Sequence, residues 1–377
     1  MPEHSSSARG RTYLYLPYVD EQGTGMQRFG SEMILALLRT GIDAQVLIGE
    51  VKGRPPWLSK VPHKVIMAGA AGRWLPRPVA AAVRLLWIQF LLPLKARRGD
   101  TLLTLADRDL ASIPLMRQVA VAHDLTQATG LRVKGGPGHE FRIRLWKHGL
   151  RRSKRVIAIS GATKNDLVHT FGVNPEQIEV IYEGVDRSIF HPSIGKRSAE
   201  RPYLLYAGTL APNKNIPFLL DVYSRVRSRG FDVDLRLVGR YEPAQAEELI
   251  AAVPEIYRAG IRFDGFVSDE TLGEAMRGCT AFVFPSLSEG FGLAPVEAMA
   301  CGAPVISSDA TSLAEVVAHG GVLLSPHDTD GWVRELTHVL EDEHHRLSLA
   351  QRAIRRSERF SWDQAARAYR EVIETSF

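Results

Sequence analysis

Residues 281–305 read AFVFPSLSEGFGLAPVEAMACGAPV. The four apolar residues ahead of Pro285 have the composition of a strand buried on both faces. A turn containing Gly290 and Gly292 follows, then a helix-length segment, then a second apolar run, PVISS (304–308). Strand, turn, helix and strand make the repeating unit of a doubly wound α/β domain, and ligands of such domains sit at the turns after the strands. The two glycines let the backbone approach a ligand closely. Pro295 suits the first helical position, where a missing N–H costs nothing. The amides of Phe291, Gly292 and Leu293 then precede a helix N-terminus, a place that favours phosphate. Two acids bracket the turn. Glu289, at the strand exit, can accept hydrogen bonds from sugar hydroxyls. Glu297, in the first helical turn, can hold a ribose diol as acids do in other nucleotide folds. Taken singly, Glu289 is as readily a solvated loop residue and Glu297 a partner of the helix dipole. The pair with this glycine pattern, after a buried strand, is the specific signal.

The same alternation runs along the whole chain. Strands are expected at 11–18, 44–48, 101–105, 119–122 and 155–159 in the first half, and at 203–208, 233–239, 261–266, 281–285 and 304–308 in the second. Ser268 and Ser361 open capped helix starts. The segment 191–202 has two prolines and no periodicity, so the linker is placed there. The chain has 377 residues, 45% of them hydrophobic, which is long for one core and suggests two domains. Their expected bounds are 1–192 and 193–360, with a C-terminal helix at 361–377 packing back on the first domain.

Two cysteines, Cys279 and Cys301, offer no disulfide framework, and a reducing compartment fits. The polar start MPEHSSSARGR lacks the apolar core of a secretion signal, and no long uncharged apolar run is present, so a cytoplasmic location is expected. Residues 1–192 carry 27 Lys+Arg against 16 Asp+Glu, and the remainder 20 against 26, within a net charge of +5. The basic first half suits an anionic partner.

At EGFGLAPVEAMACGAPV the chain resembles the family-4 retaining glycosyltransferases, whose signature pairs two glutamates eight residues apart. The resemblance extends from about residue 11 to residue 370. It implies the GT-B fold, two Rossmann-like domains facing across a cleft, with the last helix crossing back to the first domain. By that resemblance Glu289 contacts the donor sugar, Phe291, Gly292 and Leu293 the sugar and diphosphate, and Glu297 the nucleotide ribose. In EQGTGMQRFG, Gly23 and Gly25 precede an amphipathic helix that Thr24 can cap; the family places such a loop beside the diphosphate, and Gly25 is the residue of close approach. In VAVAHDL, His123 matches the family's sugar-contacting histidine, with Asp124 as an orienting or hinge residue. In YAGTLAPNKNIP the loop resembles the family's glycine-to-lysine loop, which puts Gly208, Thr209 and Asn213 at the donor and gives Lys214 the charge of the departing diphosphate. Many members carry an arginine where Thr209 or Asn213 stands here, so the second cation is missing from its usual place; Arg240 is a substitute if its loop folds inward. Phe266, between Gly265 and Val267, falls where the family contacts the base. The stretches AISGATKNDLVHTFGV and VIYEGVDRSIFHP match the family's crossover and are assigned to the hinge.

Other signals are set aside. Asp107-Arg108-Asp109 has the D-x-D form of a metal motif but no supporting cluster, and no metal is required if Lys214 and helix-end amides carry the diphosphate charge. His344-His345 lies in a charged helix. There is no Walker loop, G-x-S-x-G, H-E-x-x-H or C-x-x-C pattern. Nucleic-acid binding is not expected, since no base-stacking signature accompanies the charge. Two stretches could touch an anionic membrane. Of these, 73–98 reads as a core helix, whereas in 139–155 the cations beside Phe141, Ile143, Leu145 and Trp146 exceed structural need.

The expected function is a metal-independent retaining hexosyltransferase. It would use a nucleotide-sugar donor, GDP-mannose first, and a glycan or lipid-linked oligosaccharide acceptor at the inner face of the membrane. UDP-glucose or UDP-N-acetylglucosamine donors, a GT-B epimerase and a non-catalytic nucleotide-sugar binder are the alternatives.

Overall fold

The computed structural model describes residues 10–20, 25–62, 64–66, 79, 83, 86–96, 99–106, 110, 116–123, 125, 139–193 and 201–375. They form two compact units. One gathers the described residues up to Glu183 with the terminal segment from Trp362, and the other runs Gly184–Ser361.

The first unit is built on seven strands: β1 (Thr12–Asp20), β2 (Ala44–Lys52), β3 (Lys64–Ile66), β4 (Thr101–Thr104), β5 (Arg117–Ala122), β6 (Arg155–Ala158) and β7 (Ile178–Val180). Their spatial order is β3-β2-β1-β4-β5-β6-β7, every pair parallel. The second unit has β8 (Tyr203–Ala207), β9 (Asp234–Val238), β10 (Ile261–Gly265), β11 (Ala281–Phe284), β12 (Val305–Ser308) and β13 (Val322–Leu324). Their order is β10-β9-β8-β11-β12-β13, again all parallel. Both sheets therefore have Rossmann order, reversing between β1 and β4 and between β8 and β11. Strands β8, β11 and β12 are buried along their whole length, which is why they read as unbroken apolar runs.

All ten expected strands form. The three that were not expected, β3, β7 and β13, have three residues each and lie at sheet edges, too short to show a period. Ser268 caps the helix Asp269–Gly278 by accepting the Thr271 N–H. The terminal helix Trp362–Thr375 buries Trp362, Ala365, Ala366, Tyr369, Val372 and Ile373, the stripe of an amphipathic helix. It packs on the helix Gly25–Arg39, with the Phe29 ring 5.8 Å from Trp362 and 6.4 Å from Tyr369. Arg39 pairs with Asp363 at 2.7 Å, and Arg370 donates to the Thr40 carbonyl.

Candidate functional site

Where strand order reverses, the loops leaving neighbouring strands turn to opposite faces of the sheet and open a ligand crevice. In the second sheet those loops follow β8 and β11. They bring Lys214 and Glu289 together, with Nζ 2.5 Å from Oε1 and each side chain only 12% exposed. The ammonium also lies 5.6 Å above the Phe284 ring. The loops are cross-braced beside this pair. The Leu287 N–H donates to the Asn213 carbonyl at 2.7 Å, and Asn213 Nδ2 donates to the Ser288 carbonyl at 3.0 Å. Asn213 Oδ1 and Ser286 Oγ are buried without a hydrogen-bond partner, so these two loops carry polar atoms suited to a ligand or water.

Local sequence explains the lysine's position. Asn215, immediately after it, is left-handed at φ 58°, a conformation asparagine tolerates better than most residues. Its Nδ2 donates to the Pro326 carbonyl at 3.0 Å. On the other side of the loop, the Tyr206 hydroxyl donates to the Thr209 carbonyl at 2.8 Å. Burial raises the Tyr206 pKa well above the ordinary phenol value, and the Glu289 charge adds to the shift. Gly208 cannot be larger, because a Cβ would stand 2.6 Å from that hydroxyl.

The helix after the glycine turn spans Leu293–Ala300 and is capped by Gly292 at φ 101°. It starts two residues earlier than the proline suggests. Pro295 is its third residue, still inside the first turn where amides lack partners, and Glu297 falls in the second turn. Glu297 is 3% exposed, so neither a solvated acid nor a first-turn dipole partner describes it. Its charge is felt at Cys301, whose thiol is pushed up to about 12 chiefly by burial, Arg277 opposing and Glu297 adding. The Phe291 ring is core, edge-on to Phe360 at 5.6 Å, which leaves its backbone to the site.

The turn itself is held by residues the sequence did not single out. Thr311 Oγ1 accepts from the Glu289 N–H and donates to the Glu289 carbonyl, both at 2.9 Å. Ser312 Oγ reaches the Glu289 and Phe291 carbonyls at 3.0 Å each. Thr311 adopts φ 50° to do so, a rare conformation for a β-branched residue. Thr-Ser ahead of LAEVV looks like an ordinary helix start, so no local signal marks this clamp.

Phe266 stands apart from the ion pair, after β10 and two strands across the sheet from β8. It is exposed, and the Arg240 guanidinium lies 5.4 Å over its ring. Arg240 is thus stacked on Phe266.

Gly25 and His123 belong to the first unit. Gly25 is exposed and opens the helix Gly25–Arg39; Gly23, Thr24 and Asp124 lie outside the described residues, as do Asp107 and Asp109. His123 follows β5 and is 4% exposed. Its Nε2 is 3.2 Å from the Leu105 carbonyl, its Nδ1 is 3.4 Å from Glu183 Oε1, and its ring meets Phe29 edge-on at 4.3 Å. Glu183, assigned to the hinge from sequence, is therefore a buried partner of the histidine.

Two all-parallel Rossmann-like domains, with charged loops at the reversal of the second sheet, define a GT-B-type architecture. Known proteins agree. The family "Glycosyl transferases group 1" matches residues 188–356, and "Glycosyltransferase Family 4" matches residues 23–189. An MMP alpha-(1->4)-mannosyltransferase of Mycolicibacterium hassiacum is 32% identical over 231 residues, 59% of this chain and 54% of that protein. The O-antigen chain mannosyltransferase B of Escherichia coli is 29% identical, over 66% of this chain and 68% of that protein. The aligned part thus spans only about half the length of the first relative. The crystal structure of HepE from Anabaena with UDP and glucose superposes with a TM-score of 0.76 at 21% identity, covering 97% of this chain and all of that one. The chain belongs to the family-4 glycosyltransferases of GT-B type and resembles bacterial mannosyltransferases.

Proposed function

We propose that the chain moves a hexose from a nucleoside-diphosphate sugar to a hydroxyl acceptor with retention of configuration. The observation that carries this reading is the Lys214–Glu289 pair at the reversal of the second sheet. A compact cation and a hydrogen-bond acceptor, both largely buried, suit a diphosphate leaving group and the hydroxyls of the sugar it leaves. In the reaction the bond from C1 to the diphosphate oxygen breaks and a bond from C1 to the acceptor oxygen forms on the same face. The acceptor proton passes to the departing phosphate. Lys214 and the amides at Phe291, Gly292 and Leu293 meet the developing charge, so this scheme needs no metal. Glu289, committed to Lys214 and to sugar hydroxyls, is not its nucleophile. Gly208, Thr209 and Asn213 shape the diphosphate side, Glu297 the ribose and Phe266 the base. For His123 and Gly25, both in the first unit, the family resemblance is the support.

The names of the relatives favour mannose, which makes GDP-mannose the first donor to try and a glycan or lipid-linked oligosaccharide the first acceptor. Contact with an anionic membrane at its inner face fits such an acceptor. Each of the two basic stretches has a packed side and an exposed side. In the helix His139–Arg152, Leu150 is buried and Trp146 packs edge-on to Phe171 at 5.0 Å. In 73–98, Ile88 and Leu92 enter the core, while Val83, Leu86, Phe90 and Leu94 are exposed. Among the described residues no helix is long and apolar enough to cross a membrane.

The test is nucleotide release by the full chain from GDP-mannose, UDP-glucose and UDP-N-acetylglucosamine, with a lipid-diphosphate-linked oligosaccharide as acceptor. Acceptor-dependent release from one donor, with an NMR anomeric coupling matching the donor's configuration, is expected. Release without a glycosylated product would overturn the transferase reading.

A further inference from the structure

The helices Thr329–Glu341 and Glu343–Ser357 meet at a sharp corner around Asp342. Glu335 and His338 are three residues apart on the first helix and so share a face. His345 sits in the first turn of the second, which Asp342 caps by accepting the His345 N–H at 3.0 Å. The corner folds His345 back onto that face. Its Nε2 lies 2.7 Å from Glu335 Oε1, and its ring stacks on His338 at 3.9 Å between centroids and 9° between planes. Ligand atoms of Glu335, His338 and His345 all lie within 4.8 Å of one another. Asp342 Oδ2 is 3.4 Å from His338 Nε2.

We infer that Glu335, His338 and His345 form a binding site for a divalent transition metal of borderline softness, zinc being the first to test. Two imidazoles and one carboxylate suit Zn²⁺, Co²⁺ or Ni²⁺ and not Mg²⁺ or Ca²⁺, which want oxygen ligands. Ligand atoms on tetrahedral zinc are roughly 3.4 Å apart, from bonds of about 2.0–2.1 Å. To bind, the two rings turn out of their stack until their nitrogens converge at that spacing, the metal replacing the proton shared by His345 and Glu335. Asp342 is the outer carboxylate that fixes the His338 ring. The His338 side chain is 50% exposed, which gives the ion its entry, and three protein ligands leave a position for water. The site involves none of the residues assigned to the transferase reading.

The full chain, stripped with a chelator, is titrated with Zn²⁺ by calorimetry and with Co²⁺ by visible absorption. One tight equivalent is expected, with the intense absorption of four-coordinate cobalt and a rise in Tm. His338→Ala and His345→Ala should each weaken zinc binding at least tenfold and abolish the rise in Tm, and Asp342→Asn should weaken it about tenfold. Should His345→Ala disturb the corner, His338→Ala carries the test, its fold checked by circular dichroism. Absence of binding, or binding unchanged by both histidine substitutions, overturns the site; the second result assigns the ion to other histidines.

Discussion

The two sheets share one strand order but present different chemistry at and beside the point where that order turns. At the reversal of the second sheet, the loops after β8 and β11 set an ammonium 2.5 Å from a carboxylate. Thr311 and Ser312 make three hydrogen bonds to the backbone of that glutamate, and Ser312 also reaches the Phe291 carbonyl. In the first sheet, one strand beyond the reversal, His123 after β5 lies against Glu183 after β7, both buried, with an imidazole nitrogen also turned to the Leu105 carbonyl after β4. There the helices Gly25–Arg39 and Trp362–Thr375 supply Phe29, Trp362 and Tyr369 as an aromatic cover. One topology thus carries a lysine–glutamate pair in one sheet and a packed histidine in the other. Function follows the side chains at the reversal, not the strand order.

That contrast can be broken most forcefully at Lys214. Lys214→Ala should lower turnover by roughly 10²–10³, the loss on removing one stabiliser of transition-state charge. Donor affinity should change far less, which steady-state kinetics beside direct binding will separate. A rise in KM alone would make Lys214 a binding residue only. Thr311→Val keeps the side-chain shape while deleting both bonds to Glu289. It should cost about tenfold in kcat/KM, about 1.4 kcal/mol, within the range for lost hydrogen bonds. Thr311→Ser should restore most of it, and equal loss in both variants would refute the clamp.

Glu183→Ala probes the other side of the comparison. It deprives His123 of a buried partner and should destabilise the protein by about 2 kcal/mol, seen as a lower Tm with nucleotide-sugar binding retained in the folded protein. Loss of donor binding at unchanged Tm would place Glu183 in the ligand site instead. The smallest effect is alkaline. Tyr206 and Tyr369, one in each unit, have pKa values raised well above the ordinary 10.0, by burial first and then by Glu289 and Glu183 respectively. Above pH 10 the unfolded chain releases these protons and the folded chain keeps them, so stability is full below that pH and falls as pH rises further. Tyr206→Phe and Tyr369→Phe should each flatten the fall, read from Tm between pH 9 and 11. An unchanged slope in both would show that the two hydroxyls ionise without unfolding.

The sequence revealed much of the fold because parallel strands covered on both faces leave apolar runs bounded by glycine and proline. Among the described residues only β3, β7 and β13, too short for periodicity, escaped. Lys214 and Glu289 were each legible from their own loops. Their direct contact was not, since 75 residues separate them and only strand order sets β8 beside β11. Pro295 misplaced the helix start because proline is allowed anywhere in the first turn, and Gly292 at positive φ was the real boundary. Thr311, Ser312 and Glu183 act through backbone or buried contacts that leave no periodic mark.

The most direct test of the central claim is saturation-transfer NMR of the folded full chain with GDP- and UDP-sugars, repeated with Glu289→Ala and Glu297→Ala. The account predicts transfer to one donor. With Glu289→Ala the sugar-proton signals weaken, and with Glu297→Ala the ribose signals do. A folded chain that gives no transfer from any nucleotide sugar, or whose transfer both substitutions leave unchanged, would contradict the claim that the loops after β8 and β11 form the donor seat.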